Sequence, residues 1–289
     1  MTDAFVETET DRTKSKWVAR AYADFVKETG RSRTTERGLF YYALQRDVSD
    51  YPICGGFVGE IRIMRPYHEN DGEKLPKWLG KAKAQGYVPD DAIIDESLRE
   101  LTLLPEQAGN LPCSVEVWVN KTSLYPLLIP VCRKHNAALV SVHKTPSKDA
   151  LDSLFCRAAE RQTIILCLND LAPNAAFFAA NLAAMIAKAK PQGCGSDIKV
   201  KCIGLLPEQI STLKIPLQKN LPQKAPMHQN GSDKDEQERF KKYLKSHSLD
   251  PKKVAELDAL EAHHPGGIAG FLEESLNKFT CSQFPDNEL

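Results

Sequence analysis

No two cysteines in this chain stand at C-x-x-C spacing, although eight are present: Cys54, Cys113, Cys132, Cys156, Cys167, Cys194, Cys202 and Cys281. That absence argues against a zinc site. Several of the eight fall inside apolar strand or helix patterns, which predicts reduced, partly buried thiols rather than a disulfide framework. Long apolar runs are missing too. The longest, Ala175–Ala187, is interrupted by Asn181 and is too short to span a bilayer. The opening residues lack the pattern of a signal peptide, being polar and acidic at Thr2, Asp3, Glu7, Glu9 and Asp11. No internal repeat is evident. These absences predict a soluble, cytoplasmic protein with no membrane partner and no zinc.

Net charge is absent as well: 38 Lys and Arg balance 38 Asp and Glu, so the total does not mark nucleic-acid binding. The distribution is uneven. Arg12 to Lys83 holds fifteen basic residues against nine acidic ones, a net of +6, and Ala84 to Asn110 holds six acids against Arg99, a net of −5. A basic N-terminal face beside an acidic patch is compatible with a phosphate backbone as partner, and equally with a solvated surface of fluctuating charge. At 289 residues, with 42% hydrophobic and 26% charged residues, the chain is an ordinary globular sequence long enough for two domains.

Between Thr10 and Glu28, Trp17, Val18, Ala21, Tyr22, Phe25 and Val26 recur at helical spacing, and Thr29-Gly30 stops the pattern. The basic stretch Arg31 to Arg37 leads into a second helix through Leu39, Phe40, Tyr42 and Ala43, with Thr34 as its expected N-cap. Two helices joined by a short Gly-containing turn form a helix-turn-helix candidate. Gly55 to Met64 then alternates like a strand or wing. Its Gly55-Gly56-x-x-Gly59 glycines have no strand before and no helix after them, so they read as a turn and not a nucleotide loop. A further helix, Leu75 to Gln85, closes at Gly86.

The middle third changes period. Strands are expected at Val115–Val119, Ala138–Val142, Ile164–Leu168 and Ile198–Ile203, alternating with helices at Leu124–His135, Asp149–Arg161 and Ala175–Lys190. That alternation predicts an α/β domain with a parallel sheet and right-handed crossovers. Pro207, Pro216, Pro222 and Pro226 mark residues 207–231 as a linker or extended arm. Ser232 to Leu289 reads as two or three short helices broken at His263-His264-Pro265-Gly266-Gly267. The expected organisation is therefore 1–110, 111–206, 207–231 and 232–289. His143, His263 and His264 lack partners at metal-ligand spacing and read as surface or loop histidines.

Two βα units carry the chemistry. Ser114-Val115-Glu116-Val117-Trp118-Val119 ends in Asn120-Lys121, and Ile164-Ile165-Leu166-Cys167-Leu168 ends in Asn169-Asp170-Leu171-Ala172-Pro173. Residues just past the carboxyl ends of strands line the functional crevice of an open α/β sheet. These two segments resemble the signature segments of the Toprim domain of topoisomerases, primases and nucleases. There a Glu ends the first strand and an Asp-x-Asp pair ends a later one, acting together on a divalent metal. Asn120 falls at the Glu position, Asp170 at the first Asp and Ala172 at the second, and Lys121 matches a basic residue found after the Glu in one bacterial branch. That branch joins a winged helix to the Toprim domain and is similar to the A-subunit family of type IIB DNA topoisomerases. Thr35 to Tyr42, Leu75 to Arg99 and Glu256-Leu257-Asp258-Ala259-Leu260 add to the likeness.

The resemblance implies an N-terminal winged helix-turn-helix domain, a Toprim-like parallel sheet flanked by helices and a small helical tail, in a prokaryotic or phage-type protein. It also implies Mg²⁺ as cofactor, but the departures degrade that site. Mg²⁺ takes one or two protein carboxylates plus water and phosphate oxygens. Asn120 offers a neutral amide, Ala172 offers nothing, and Asp170 alone holds an ion weakly. Glu116, Asp149, Asp152, Glu256 and Asp258 are the acids that could replace the missing ligands, although Glu116 lies roughly 13 Å from Asn120 along an extended strand. Asp170 also reads as a cap for a helix with Pro173 at N1. In the relatives, an Arg followed four residues later by Tyr supplies a phosphotyrosyl nucleophile. Arg37 and Tyr41 keep that spacing, and Tyr41 reads equally as a packed helical aromatic.

The function expected from this is duplex-DNA binding within a DNA-processing or defence-type assembly, with nuclease chemistry lost and no small-molecule substrate. Arg31, Arg33, Arg37, Lys74, Lys77, Lys81, Lys83 and Lys121 are the candidate phosphate contacts. Two alternatives stay open at this point: an active Mg²⁺-dependent DNA-cleaving enzyme using Asp170 and a displaced carboxylate, and a protein-interaction module without DNA contact.

Overall fold

The structure, a computed structural model, describes residues 9–46, 52–94, 100–105, 113–143, 145–159, 161–190, 197–219 and 231–278. The chain is a mixed α/β protein that divides into two compact units, Met1–Asp95 with Glu261–Pro265, and Glu96–Leu260 with Gly266–Leu289.

In the first unit, α1 (Glu9–Thr29) buries Trp17, Val18, Ala21, Tyr22 and Phe25, the stripe set by its helical spacing. Gly30 ends it with a φ of +68°, a conformation that suits a residue without a Cβ. Two short elements follow, β1 (Thr34–Thr35) and α2 (Glu36–Leu44). The N-cap of α2 is Thr35 and not Thr34: Thr35 Oγ1 accepts from the Gly38 N–H at 2.9 Å. Thr34 is drawn one residue back into β1, and its hydroxyl donates to Glu261 Oε1 at 3.3 Å.

The hairpin of β2 (Ile53–Val58) and β3 (Ile61–Arg65) turns at Gly59, whose φ is +60°. It exposes Val58, Ile61, Ile63 and Met64. A 3-10 turn, Glu69–Lys74, leads into α3 (Leu75–Ala84), and β4 (Ile93–Ile94) pairs in parallel with β1. Helix α2 buries Gly38, Leu39, Phe40, Tyr41, Tyr42 and Ala43 in succession. A helix so enclosed has little outward face to lay in a groove. Helix α3 buries Leu75, Trp78, Leu79 and Ala82 and turns Lys77 to solvent, with exposed Lys74 as its N-cap residue.

The second unit is built on a five-stranded sheet. In chain order it contains β5 (Leu101–Leu103), β6 (Ser114–Val119), a 3-10 turn at Thr122–Leu124, α4 (Tyr125–Lys134), β7 (Ala138–Ser141), α5 (Lys148–Ala158), β8 (Thr163–Leu168), α6 (Phe178–Ala189) and β9 (Ile198–Gly204). There follow α7 (Pro207–Thr212), β10 (Gln218–Lys219), α8 (Gly231–Ser246), β11 (Lys253–Val254), α9 (Leu257–His263), whose last residues belong to the first unit, and α10 (Gly267–Lys278). Strand order is β5-β7-β6-β8-β9, parallel throughout except for β5. The expected all-parallel sheet thus gains an antiparallel edge, because three residues satisfy an edge position and are too few to show a period. Part of the expected arm is helical: Pro207 starts α7, and Ile210 and Ile215 are buried.

The chain leaves β6 toward β7 on one side and leaves β8 toward β9 on the other. Right-handed crossovers therefore put α4 on one face and α5 and α6 on the opposite one, where Trp118, Leu154, Phe155, Ile165, Phe178 and Leu182 share a core. The reversal falls at the carboxyl ends of β6 and β8, the place where an open α/β sheet has its crevice.

The thiols depart from expectation at Cys113, which is disulfide-bonded, whereas Cys54, Cys132, Cys156, Cys167 and Cys202 are free. Spatial approach decides a disulfide, and spacing along the chain does not encode it. Cys194 and Cys281 lie outside the described residues. Among the described residues no helix is long and apolar enough to cross a membrane.

One charge pair is locked into the core face. Glu116 on β6, only 2% exposed, accepts from Arg157 Nε at 2.7 Å and Nη2 at 3.0 Å, and from Trp118 Nε1 at 2.9 Å. Removing one partner of such a pair leaves a buried charge uncompensated. Arg157→Ala is expected to cost on the order of 3 kcal/mol in urea unfolding. An unchanged midpoint would show that Glu116 finds other solvation.

Candidate functional site

At the crevice, β6 runs into Asn120 and Lys121, and the Asn120 N–H donates to Leu168 O at 3.2 Å, keeping the two strand ends in register. Beyond β8 come Asn169 and Asp170. Leu171 then pairs with Ala255 as an antiparallel bridge, each N–H donating to the other's carbonyl at 2.9 and 3.0 Å. This bridge carries the start of α9 alongside Asp170. Asp170 Oδ1 accepts from the Leu257 N–H at 2.7 Å. Asp170 is thus a helix cap, but for α9 and not for the helix that follows it. Residues after Asp170 form turns, with the N–H groups of Ala175 and Ala176 both donating to Ala172 O, and α6 starts only at Phe178.

The Lys121 ammonium is held by three carboxylates. Its closest contact is Asp258 Oδ2, with Glu256 Oε2 at 3.5 Å and Asp170 Oδ2 at 3.9 Å. Asp258 has no exposed surface, while Asp170 and Glu256 keep 21% and 23% of theirs. Burial by itself would lower the Lys121 pKa, but Asp170, Asp258 and Glu256 more than reverse it and hold the ammonium well above its ordinary range. Asp170 moves the other way from a normal carboxyl. Burial, with Glu256 and Asp258 nearby, pushes it up to about 6, against the opposing pull of Lys121 and the Leu257 N–H.

Of the five acids proposed from sequence as replacement ligands, Glu256 and Asp258 therefore reach Asp170. Glu116 is taken by Arg157, and Asp149 and Asp152 are exposed on α5. Asn120 Oδ1 is buried without a hydrogen-bond partner among the described residues, and Ala172 presents only a methyl group. The arrangement does not fit a divalent ion. The ammonium fills the point of convergence, and the Glu256 and Asp170 oxygens stand 3.5 and 3.9 Å from it. Mg²⁺ asks for oxygens at about 2.1 Å. Among the described residues no group of three or more His, Cys, Asp or Glu is placed to hold a metal.

The expected phosphate contacts do not form one set. Arg31 donates through Nη1 to Glu261 O at 2.9 Å, pairs with Glu261 Oε1 and lies over the Phe25 ring. Arg37 lies over the rings of Phe40 and Tyr41 and donates through Nη2 to the Tyr41 hydroxyl at 3.4 Å. Tyr41 itself is 0% exposed, which keeps its hydroxyl from an incoming phosphate. Lys83 Nζ donates to Ile93 O at 3.4 Å, and Lys121 is enclosed as described. Exposed Lys77 and half-buried Lys81 lie on α3, exposed Lys74 just precedes it, and Arg33 is exposed with Nε donating to Asp91 O. Lys121, expected from sequence to contact phosphate, faces Asp170, Glu256 and Asp258 in the structure. The signal was Glu256-Leu257-Asp258, two acids flanking the first residue of a helix, with no basic residue in that segment to balance them.

No protein-family model matches the chain, and no curated protein matches it.

A carboxyl whose pKa is higher in the folded than in the unfolded state binds extra protons when folded, so its contribution to stability falls as pH rises between the two values. For Asp170 that window runs from about 4 to about 6. Asp170→Asn removes this dependence. In urea unfolding across that range, the stability of Asp170→Asn relative to the native chain is expected to rise with pH, by up to about 1.4 kcal/mol per pH unit, and to level off above pH 7. A relative stability that falls with pH would contradict the raised value.

Proposed function

We propose that the chain is a DNA-binding component of a DNA-processing or defence-type assembly, combining a winged-helix-like unit with a Toprim-like unit whose metal chemistry is lost. The observation that carries the second half is the pair of strand ends at the crevice. Asn120 and Ala172 stand where metal-dependent cleavage asks for carboxylates, and Asp170 is committed to the α9 backbone. In-line phosphoryl displacement needs cations that stabilise both the attacking and the leaving oxygen. Enclosure of the Tyr41 side chain argues in the same direction.

DNA contact is supported by α3, where Lys77 is exposed opposite a buried apolar stripe, by exposed Lys74 at its N-cap and by exposed Arg33. Lysines on one helix face neutralise phosphates without reading bases, so the expected binding is salt-dependent and largely indifferent to sequence. A second reading, Mg²⁺-dependent cleavage through Asp170, has one observation in its favour: Glu256 and Asp258 both lie at Asp170's side of the crevice. Lys121 weighs against it.

The two readings separate on plasmid DNA. With Mg²⁺ or Mn²⁺ the native chain is expected to leave supercoiled plasmid intact. Nicking that disappears in Asp170→Ala would establish the enzyme instead. Duplex binding, read by fluorescence anisotropy over a salt series, is expected to weaken in Arg33→Ala and Lys77→Ala, each lowering the slope of log K against log salt by about 1. No binding at low salt would leave a protein-interaction module.

A further inference from the structure

We infer that β3 is a dimerisation strand: its free edge pairs antiparallel with β3 of a second copy of the chain, joining two hairpins into one four-stranded sheet. Of the six large apolar side chains exposed among the described residues, four stand on this one hairpin. Val58, Ile61, Ile63 and Met64 are 63%, 71%, 45% and 46% exposed, a concentration unlike the singly scattered apolar residues of an ordinary surface. The β2–β3 sheet has two strands, so among the described residues the outer edge of β3 has no strand beside it. Ile61, Arg62, Ile63 and Met64 are exposed in succession, which leaves both faces of the strand uncovered. By contrast, β2 is anchored by Ile53 and Cys54, 1% and 2% exposed, and it carries the register shift between Cys54 and Gly56. A regular, apolar, unpaired edge is a template for another strand.

The chemistry of the strand selects its own copy as the occupant. Its two charged residues are already matched within the chain: Arg62 Nη2 donates to Glu9 Oε1 at 2.9 Å, and Arg65 donates to both Asp71 oxygens at 2.5 and 2.6 Å. With both arginines neutralised, the strand neither draws a partner of opposite charge nor repels a copy of itself. Antiparallel pairing centred on Ile63 sets Ile63 opposite Ile63, Arg62 opposite Met64 and Ile61 opposite Arg65, so no two like charges face each other. Inside its own hairpin Ile63 stands opposite Gly56, which has no side chain to lay against it. The second copy supplies that neighbour. One patch then serves both chains, as a two-fold interface requires. An edge of five residues makes a small contact. The association is therefore weak, with a Kd on the order of 10 µM.

Sedimentation equilibrium of the full chain tests this. The native chain is expected to approach the mass of two chains at about 100 µM and of one chain at about 1 µM. Ile63→Lys sets two like charges opposite each other at the two-fold and is expected to weaken dimerisation by about tenfold or more, with an unchanged circular dichroism spectrum. Val58→Lys, on the other strand of the hairpin, is expected to leave dimerisation unchanged. Amide hydrogen exchange reads the same contact without a substitution: exchange at residues 61–65 is expected to slow as the native chain is concentrated, and it decides the matter alone if Ile63→Lys loses its native spectrum. A native chain that stays monomeric at about 100 µM overturns the inference. So does a dimer that Ile63→Lys leaves intact, one that Val58→Lys dissolves equally, or exchange at 61–65 that ignores concentration.

Discussion

The crevice depends on the contact between one ammonium and three carboxylates. Removing four ionised groups from water is costly, and their attraction offsets that cost only where geometry is good and remaining acceptors find donors. Here the supplementary donor is the Leu257 N–H, which engages Asp170 and leaves the other Asp170 oxygen for Lys121. The Leu171–Ala255 bridge makes that alignment possible, because it sets residues 170 and 256 side by side before any charge is considered. Hydrogen bonding fixes the positions. Burial then pushes Asp170 up against the pull of Lys121, while at Lys121 the three carboxylates outweigh burial and keep the ammonium charged.

Much of the second unit was legible in the sequence. Thr163 to Leu168 is buried at every position, and the uninterrupted apolar run Ile164-Ile165-Leu166-Cys167-Leu168 is what a strand covered on both faces requires. The alternation with helices then fixed the parallel sheet, and with it the crevice at Asn120 and Asp170. What was not legible has a common cause. Thr34 and Thr35 are equal as caps by chemistry, and only pairing with Ile93, far along the chain, takes Thr34 out of contention. Asp170 next to Pro173 reads as a local cap, yet its partner is 87 residues away. The antiparallel strand at Leu101–Leu103 is defined only by its neighbour β7.

The candidate site was half legible for the same reason. Asn120 and Ala172 could be read as missing ligands because the strand ends were visible. The role of Lys121 could not, since lysine beside a crevice looks the same whether it faces a phosphate or a buried acid. Arg31 and Arg37 illustrate the point from the other unit. Both belong to a basic segment by composition, and both are spent on Glu261, Phe25 and the Tyr41 hydroxyl.

The Leu171–Ala255 bridge has a further consequence for the making of the protein. Strands β6 to β9 can pair as soon as residue 204 has been synthesised, but Lys121 lies 135 residues before Glu256. On a chain that folds from its N-terminus as it emerges, the sheet stands complete while its crevice still holds an unmatched lysine and a single aspartate. Only when α9 arrives do Glu256 and Asp258 join, taking the lysine from facing one carboxylate to being enclosed by three. The mouth of the sheet is therefore sealed only after the sheet itself is complete, and the nascent chain passes through a stage in which that mouth is open to water and to whatever ions the water carries.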